Sequence, residues 1–484
     1  MNTGKATKQQ NLSTQIVIIG GGGAGLTAAV IAAENGANVI LVEKERNLGG
    51  NSSLAEGLLA AESPAQKRLN IDAKKEEIFK IAMDYAHYKL DGRLVRAFID
   101  KSGDTIRWLE EKGFVFDWIP NYYPNQRIPT WHYIEGRGIK LIKHLTAECE
   151  KLGVTLIREA RVSKLSMSGD GKLNGVIVKT KDGEIKITAK SAIIATGGYG
   201  GNKSLLKKYS SFYNENWIYR GIQNRGDGLL MALEAGAATE GLGILQLSGH
   251  AAPRFSEHIN AIVEQPDTVW VNNRGSRFID EAAGLNHFES INAVIRQPSS
   301  VCYTLLDDQI KRNYIENGIT KGLGQIIRPG TKIVSLGEEL KNNAKKAGEW
   351  IKISNSWDEI ARWIGTEPEY LKTTIDEYNS FCDEKCDYIF AKDSRYLDAL
   401  RTPPYYAIKC YPSFLSTIGG IKINHNMQVL DKDSNPIPGL YAAGSDTGGW
   451  ETDTYNAVLS GTTFGYAINS GRIAGENATA FVRR

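Results

Sequence analysis

Cysteine is scarce in this chain. There are five in 484 residues (Cys149, Cys302, Cys382, Cys386 and Cys410), an odd number with no CxxC pair. That excludes a CxxCH haem attachment site and a four-cysteine iron–sulfur cluster. Cys382 and Cys386, four apart in FCDEKC, read as thiols on one helix face in a reducing compartment, with a metal or redox pair as the alternative. Charge of one sign is also lacking. With 58 basic and 55 acidic residues the net charge is +3, too small to mark nucleic acid or an anionic membrane as the main partner. No stretch reaches the roughly 18 apolar residues of a membrane span. The polar opening MNTGKATKQQNLSTQ lacks the apolar core of a secretory signal. These absences point to a cytoplasmic protein with a disordered leader over residues 1–14. No internal repeat or low-complexity segment is present.

Glycine is plentiful, with 50 residues, many in short clusters that suit backbone approaching a ligand. Residues 15–43 read QIVIIGGGGAGLTAAVIAAENGANVILVE. Ile16–Ile19 is a β-branched run for a strand buried on both faces. Gly20-x-Gly22-x-x-Gly25 follows, with Gly23 and Ala24 inside it, then an Ala-rich helical stretch to Glu34. Val39–Val42 is a second buried strand, closed by Glu43. Strand, glycines, helix, strand and acid in this order predict a dinucleotide-binding unit. Gly20 makes the tight turn, Gly22 admits the pyrophosphate and Gly25 lets helix pack on strand. The helix N-terminus faces the phosphates, and Glu43 accepts from a ribose hydroxyl.

After Glu43 and Lys44, the segment Gly49-Gly50-Asn51-Ser52 offers small residues along a long ligand. The chain resembles the fumarate reductase/succinate dehydrogenase flavoprotein family, which includes 3-ketosteroid dehydrogenases and urocanate-type reductases. It resembles the ketosteroid dehydrogenase and ene-reductase members more than true fumarate reductases. The matching stretches are GGGGAG (20–25), GGNSSLAEG (49–57), SAIIATGGYGGN (191–202), GDGLLMALEAGA (226–237), VNNRGSRFIDE (271–281), IGGIKIN (418–424), PGLYAAG (438–444) and SGTTFGYAINSGRIAGENA (460–478). The resemblance implies FAD and an α/β fold. A Rossmann-like, glutathione-reductase-type FAD-binding domain is expected over 15–245 and 400–484, with an inserted α+β capping domain over 246–399. It extends the cofactor-contacting set to Ala55, Gly57, Val162, Ala195, Thr196, Gly197, Gly444, Ser445, Asp446, Ser460 and Gly461. Members with covalent FAD carry a histidine where Asn51 stands, so non-covalent FAD is expected.

The resemblance also shows what the active site lacks. Where dicarboxylate-reducing members place cationic clamps and a histidine, this chain has Glu264, Leu285, Val458 and Ser416. A site without these charges binds a dianion poorly. Ketosteroid dehydrogenases use tyrosines instead. Tyr455 in the loop WETDTYNAVLSGTTFG is the leading candidate for the proton, with Tyr122, Tyr123, Tyr133 and Tyr219 as other phenols. His250 is a candidate polar contact, Arg274 and Arg277 are read as ion-pair residues beside Glu281, and Trp118, Trp131 and Trp450 as core or ligand-wall aromatics. An unperturbed phenol, with a pKa of about 10, is an acid at neutral pH. The expected reaction adds or removes two hydrogens across a C=C bond next to a carbonyl. Hydride passes at flavin N5, a tyrosine exchanges the proton, and the substrate is a neutral or weakly charged cyclic enone, ketosteroid-like or aryl-acrylate-like compound. A fumarate or urocanate-type reductase with relocated cations and a non-catalytic flavin electron carrier remain as alternatives. With no second GxGxxG, electrons are expected to pass to or from another protein, a quinone, or NAD(P)H in the same cleft.

Overall fold

A computed structural model of the protein describes residues 10–121, 126–222, 224–253, 256–323, 327–346 and 349–484. Tyr122 and Tyr123 lie outside the described residues. The chain divides into two compact units, one of Met1–Ser211, Gly221–Gln246 and Leu415–Arg484, the other of Phe212–Arg220 and Leu247–Phe414. Among the described residues no helix is long and apolar enough to cross a membrane.

The first unit is built on the β-branched run. Ile16–Ile19 is fully or nearly fully buried and ends the strand Gln10–Ile19. That strand lies parallel between Val39–Val42 (Ile16 opposite Val39) and Gly183–Ile194 (Ile19 opposite Ile194). Thr155–Ile157 extends the parallel sheet on one side and Pro436–Ala442 on the other. Antiparallel pairs add Gln428–Leu430 at that edge and the hairpin Arg161–Met167/Leu173–Thr180. Both faces of the central strands are covered, which is why they read as continuous apolar runs and not as alternating ones. The helix Gly23–Glu34 follows the first strand. It packs tightly because Gly25 has no side chain: a Cβ there would lie 1.9 Å from the Gly20 carbonyl oxygen. The first strand starts at Gln10, inside the stretch read as leader. Gln10–Thr14 pair with Ile185–Ala189, so polar composition concealed a sheet segment. Gly183–Ile194 is one strand because it pairs on both sides.

The second unit centres on the long strand Tyr405–Thr417, joined in one sheet by Leu245–Ala251, Cys302–Leu306, Val269–Val271, Ile351–Ser354 and the two-residue Ile218–Tyr219. Helices including His287–Ile295, Asp308–Glu316 and Pro368–Glu384 accompany this sheet, giving an α+β unit. A buried ion network closes one part of it. The Arg277 guanidinium donates twice to Glu281, at 2.9 Å each, and to Asp387 at 2.8 Å. It lies against the rings of Tyr378 and Phe390, and Lys392 stands 3.2 Å from Glu281. The expected structural role of Arg277 is thus seen. Arg274 is exposed and has no ion pair among the described residues. The two spaced thiols do not share a helix face: the helix Pro368–Glu384 ends before Cys386, with Lys385 in the left-handed conformation. Cys302 and Cys410 face each other across paired strands as free thiols, and burial pushes both well up. Among the described residues no group of His, Cys, Asp or Glu is placed to hold a metal.

Candidate active site

A cavity of about 780 Å³ opens in the first unit where the glycine turn meets the start of its helix. Its size is that of a small-molecule or cofactor site. Gly20, Gly22, Gly23, Ala24, Glu43, Lys44, Gly49, Gly50, Asn51, Ser52, Val162, Ala195, Thr196, Gly197, Gly444 and Ser445 all line it. The sequence brings them from five separate segments, with Val162 at the start of the strand Arg161–Met167 and the other four following the carboxyl ends of parallel strands. That is where an open α/β sheet binds its ligand.

The local geometry suits a dinucleotide. The helix Gly23–Glu34 has no side-chain cap, so part of its N-terminal N–H array remains available to an anion. Gly22 pairs as an isolated bridge with Gly49. A Cβ on Gly22 would meet nothing closer than the Gly49 oxygen at 3.7 Å, so bare backbone faces the cavity. Gly49 has φ 123°, a conformation that glycine adopts readily. The Glu43 carboxylate accepts from Gly21 N at 2.7 Å and from Glu45 N at 2.9 Å. Each oxygen keeps a second lone pair for a ribose hydroxyl. At another wall Asp227 accepts from Lys44 at 3.1 Å and from Arg161 at 2.6 and 3.1 Å. Burial pushes the Asp227 carboxyl up, but Lys44 and Arg161 outweigh it and hold the group below its usual range.

Asn51 is a brace. Its amide donates to the Leu415 carbonyl at 2.9 Å and accepts from Ile222 N at 2.6 Å. Such an amide offers no nucleophile for a flavin attachment.

Six residues read as cofactor contacts do not line the cavity. Gly25 is used against Gly20, as described. The Ala55 carbonyl accepts from Gly138 N at 2.6 Å. Gly57 backs onto Trp131 and His132, and Gly461 onto Leu58 and Leu59. Ser460 is held by Gln126 and Thr130. Asp446 is fully engaged inside the protein. It accepts from Thr196 N, from Thr196 Oγ1 at 3.0 Å, from Gly197 N at 3.1 Å and from Gly198 N at 2.9 Å. It shapes the Thr196–Gly198 turn from behind, and burial pushes its carboxyl up. Arg161, Asn224, Asp227 and Ala467 line the cavity without having been singled out in the sequence. The acid opening the GDG stretch was the available signal for Asp227.

Tyr455 is buried and is not among the cavity residues. It sits on the loop that leaves the cavity after Ser445 and returns to it at Ala467. Its carbonyl accepts from Tyr85 Oη at 3.1 Å. Burial, with Glu451 nearby, pushes its phenol up to about 12. Trp450 stacks on Tyr466 with centroids 4.2 Å apart and donates to Thr447 O, so it is a core residue. Trp131 is buried and meets Trp118 edge-on, while Trp118 is 45% exposed. His250 belongs to the second unit. Its Nε2 lies 2.9 Å from Val263 O and 3.3 Å from Thr304 Oγ1, and its ring meets Trp270 edge-on. It is a core histidine, its ring bonded through Nε2 alone, its Nδ1 buried 3.8 Å from Glu264 Oε1 with no hydrogen-bond partner among the described residues, and burial lowers its pKa.

Residues 15–461 match the FAD binding domain family. The vinyl phenol reductase of Lactiplantibacillus plantarum is 32% identical over 98% of this chain and 97% of its own length. Among solved structures, the open conformation of a flavocytochrome c3 fumarate reductase matches with a TM-score of 0.77 and 28% identity, over 98% of this chain and 79% of that one. The 3-ketosteroid delta1-dehydrogenase from Sterolibacterium denitrificans matches with a TM-score of 0.80 over 97% of this chain and 99% of that one, at 17% identity, a likeness of fold. The chain belongs to the FAD binding domain family and is an FAD-dependent oxidoreductase acting on CH–CH groups, of the kind that reduces C=C bonds.

Proposed function

We propose that this protein reduces a C=C bond conjugated to an aromatic ring or a carbonyl, in a neutral or weakly charged ring-bearing substrate with 4-vinylphenol at the small end of the range. FAD, when bound, supplies the hydride. The chain's part is to hold it non-covalently, through the glycine turn, Glu43 and the Gly49–Ser52 segment, and to deliver a proton. Tyr455 is the proposed donor. With a vinylphenol the proton goes to the terminal carbon, because the para-hydroxyl stabilises the positive charge that then develops beside the ring, where the hydride arrives.

The observation that carries the reading is the charge at the four clamp positions. Leu285, Ser416 and Val458 are uncharged. Glu264 is a buried carboxylate whose counter-ion is Lys321. The second unit offers few substitute cations. Lys321 is taken by Glu264, and burial pushes His287 down to about 3. A second reading rests on Arg220. Its guanidinium has no ion pair among the described residues, and burial lowers its pKa. One such cation favours a substrate with a single anionic group, such as an aryl acrylate.

Anaerobic reoxidation of the dithionite-reduced holoenzyme tests this. 4-Vinylphenol or a cyclic enone is expected to reoxidise the flavin, an aryl acrylate to do so under the second reading, and fumarate to be slower by orders of magnitude. Fumarate turnover as fast as the best aryl or enone substrate overturns the reading, and reoxidation by no compound leaves the electron-carrier alternative. Tyr455→Phe is expected to keep the cofactor and slow reoxidation by about 10²–10⁴-fold.

A further inference from the structure

Two of the points where the chain passes from one unit to the other are Arg220–Gly221 and Phe414–Leu415. The two passages run together. On the second-unit side Ile218 pairs with Ser413 and Tyr219 with Phe414, in parallel, and Arg220 N donates to the Phe414 carbonyl at 2.9 Å. On the first-unit side both passages meet one residue. Asn51 accepts from Ile222 N through Oδ1, at 2.6 Å, and donates through Nδ2 to the Leu415 carbonyl, at 2.9 Å. A primary amide can accept at one end and donate at the other, whereas a carboxylate only accepts and an alkyl side chain does neither.

Asn51 is also part of the cofactor wall, where it lines the cavity together with Gly50, Ser52 and Ile222. Its stretch is tied to the glycine turn. Gly49 N donates to the Gly21 carbonyl at 2.8 Å, and Gly23 N donates to Ser52 Oγ at 3.1 Å. Gly49 and Gly50 bring no side chains to hold the stretch, so it relies on what lies against it. The same two passages have a second anchor nearby. Asn224 Nδ2 donates to the carbonyl of Gly197, another cavity residue, at 2.7 Å, and Thr417 Oγ1 accepts from Tyr199 N at 3.2 Å. The groups that hold the passages are thus built into the walls of the cofactor site.

We propose that Asn51 is a positioning residue that links FAD binding to the order of the two passages. A cofactor lying along Gly49–Ser52 fixes the Asn51 amide, and the amide fixes Ile222 and Leu415. The strands that carry the chain into the second unit are then set only in the holoenzyme. The link is reciprocal. By whatever factor FAD steadies the passages through Asn51, the intact amide bonds tighten FAD by the same factor. It needs the cofactor and no substrate, so it is independent of the reaction proposed above.

Hydrogen–deuterium exchange of the full-length protein, read at the Ile222 amide with FAD bound and after its removal, tests this. In wild type, removing FAD is expected to speed exchange at Ile222 about tenfold. Asn51→Leu, similar in volume, deletes both bonds. Its holoprotein is expected to exchange at Ile222 about tenfold faster than wild type, and removing FAD to add less than about threefold. Its Kd for FAD, read by equilibrium dialysis, is expected to rise about tenfold. Asn51→Ser, too short to span both partners, is expected to behave in the same way and carries the comparison if Asn51→Leu does not fold. An Ile222 amide that exchanges equally fast with and without FAD in wild type overturns the proposal. So does a variant with an undiminished FAD effect at Ile222, because the cofactor then covers that amide directly. A raised Kd with wild-type exchange at Ile222 also overturns it, because a contact between Asn51 and FAD alone explains that result.

Discussion

Glu264 has its carboxylate sealed in the second unit, where burial alone would push it toward the neutral form. The Lys321 ammonium is the main charge that opposes this, and the carboxyl is held down at about 2. Burial lowers the Lys321 ammonium in the same place, against the pull of Glu264. Each charge is therefore tolerable only because of the other. Removing one partner of a buried pair costs about 3–5 kcal/mol, while replacing both with apolar groups is often neutral. Lys321→Met is expected to lower stability by that amount in urea unfolding at neutral pH. Glu264→Leu combined with Lys321→Met is expected to recover most of it. A single Lys321→Met within about 1 kcal/mol of wild type would mean that the pair is solvated, like a surface one. The sign with pH follows from the depressed carboxyl. Its contribution is complete above the unfolded value of about 4.3 and is lost as pH falls toward the folded one.

At the scale of elements, Gly25 joins the cofactor turn to its helix. A Cβ there would meet backbone, the Gly20 carbonyl 1.9 Å away, so the helix must shift. The cavity wall at Gly22–Ala24 shifts with it. Gly25→Ala is expected to weaken FAD retention at least about tenfold, or to destabilise the protein by about 1–3 kcal/mol as overpacked cores do. Equilibrium dialysis of the flavin and urea unfolding read the two effects, and a variant unchanged in both would refute the packing argument. This element was legible in the sequence because periodicity and glycine spacing are local: a buried run, a turn, a helix and a strand follow within about 30 residues. What was not legible depends on partners distant in the chain. Asp446 read as a cofactor contact, yet it caps the turn at Thr196–Gly198 from 250 residues away. Gln10–Thr14 read as leader, yet Gly183–Ile194 recruits them. Glu451 sat in plain view, but its meaning comes from burial, which no spacing reports.

Over the whole molecule, two sets of buried groups pull stability in opposite directions with pH. His132, bonded to Ser63 and Thr130, is pushed by burial down to about 4, and His287 to about 3. Both stay neutral when folded and take up a proton when unfolded below about 6.5. Their contribution is full above that pH and falls with acid, by up to about 1.4 kcal/mol per pH unit each. Asp267, hydrogen-bonded by Tyr314, is pushed by burial up to about 6, and Asp446 and Glu451 are also raised. These carboxyls keep protons when folded that the unfolded chain gives up near pH 4, so their contribution falls as pH rises. Between about pH 4.5 and 6 the two sets largely cancel. Below that range the histidines dominate. Above about 6.5 the histidine gain is complete, and any carboxyl still protonated continues to cost stability. Because burial raises Glu451, the urea midpoint of Glu451→Gln relative to wild type is expected to increase as pH rises above about 4.5. A difference between the two proteins that does not change with pH would mean that Glu451 is ionised in the folded protein.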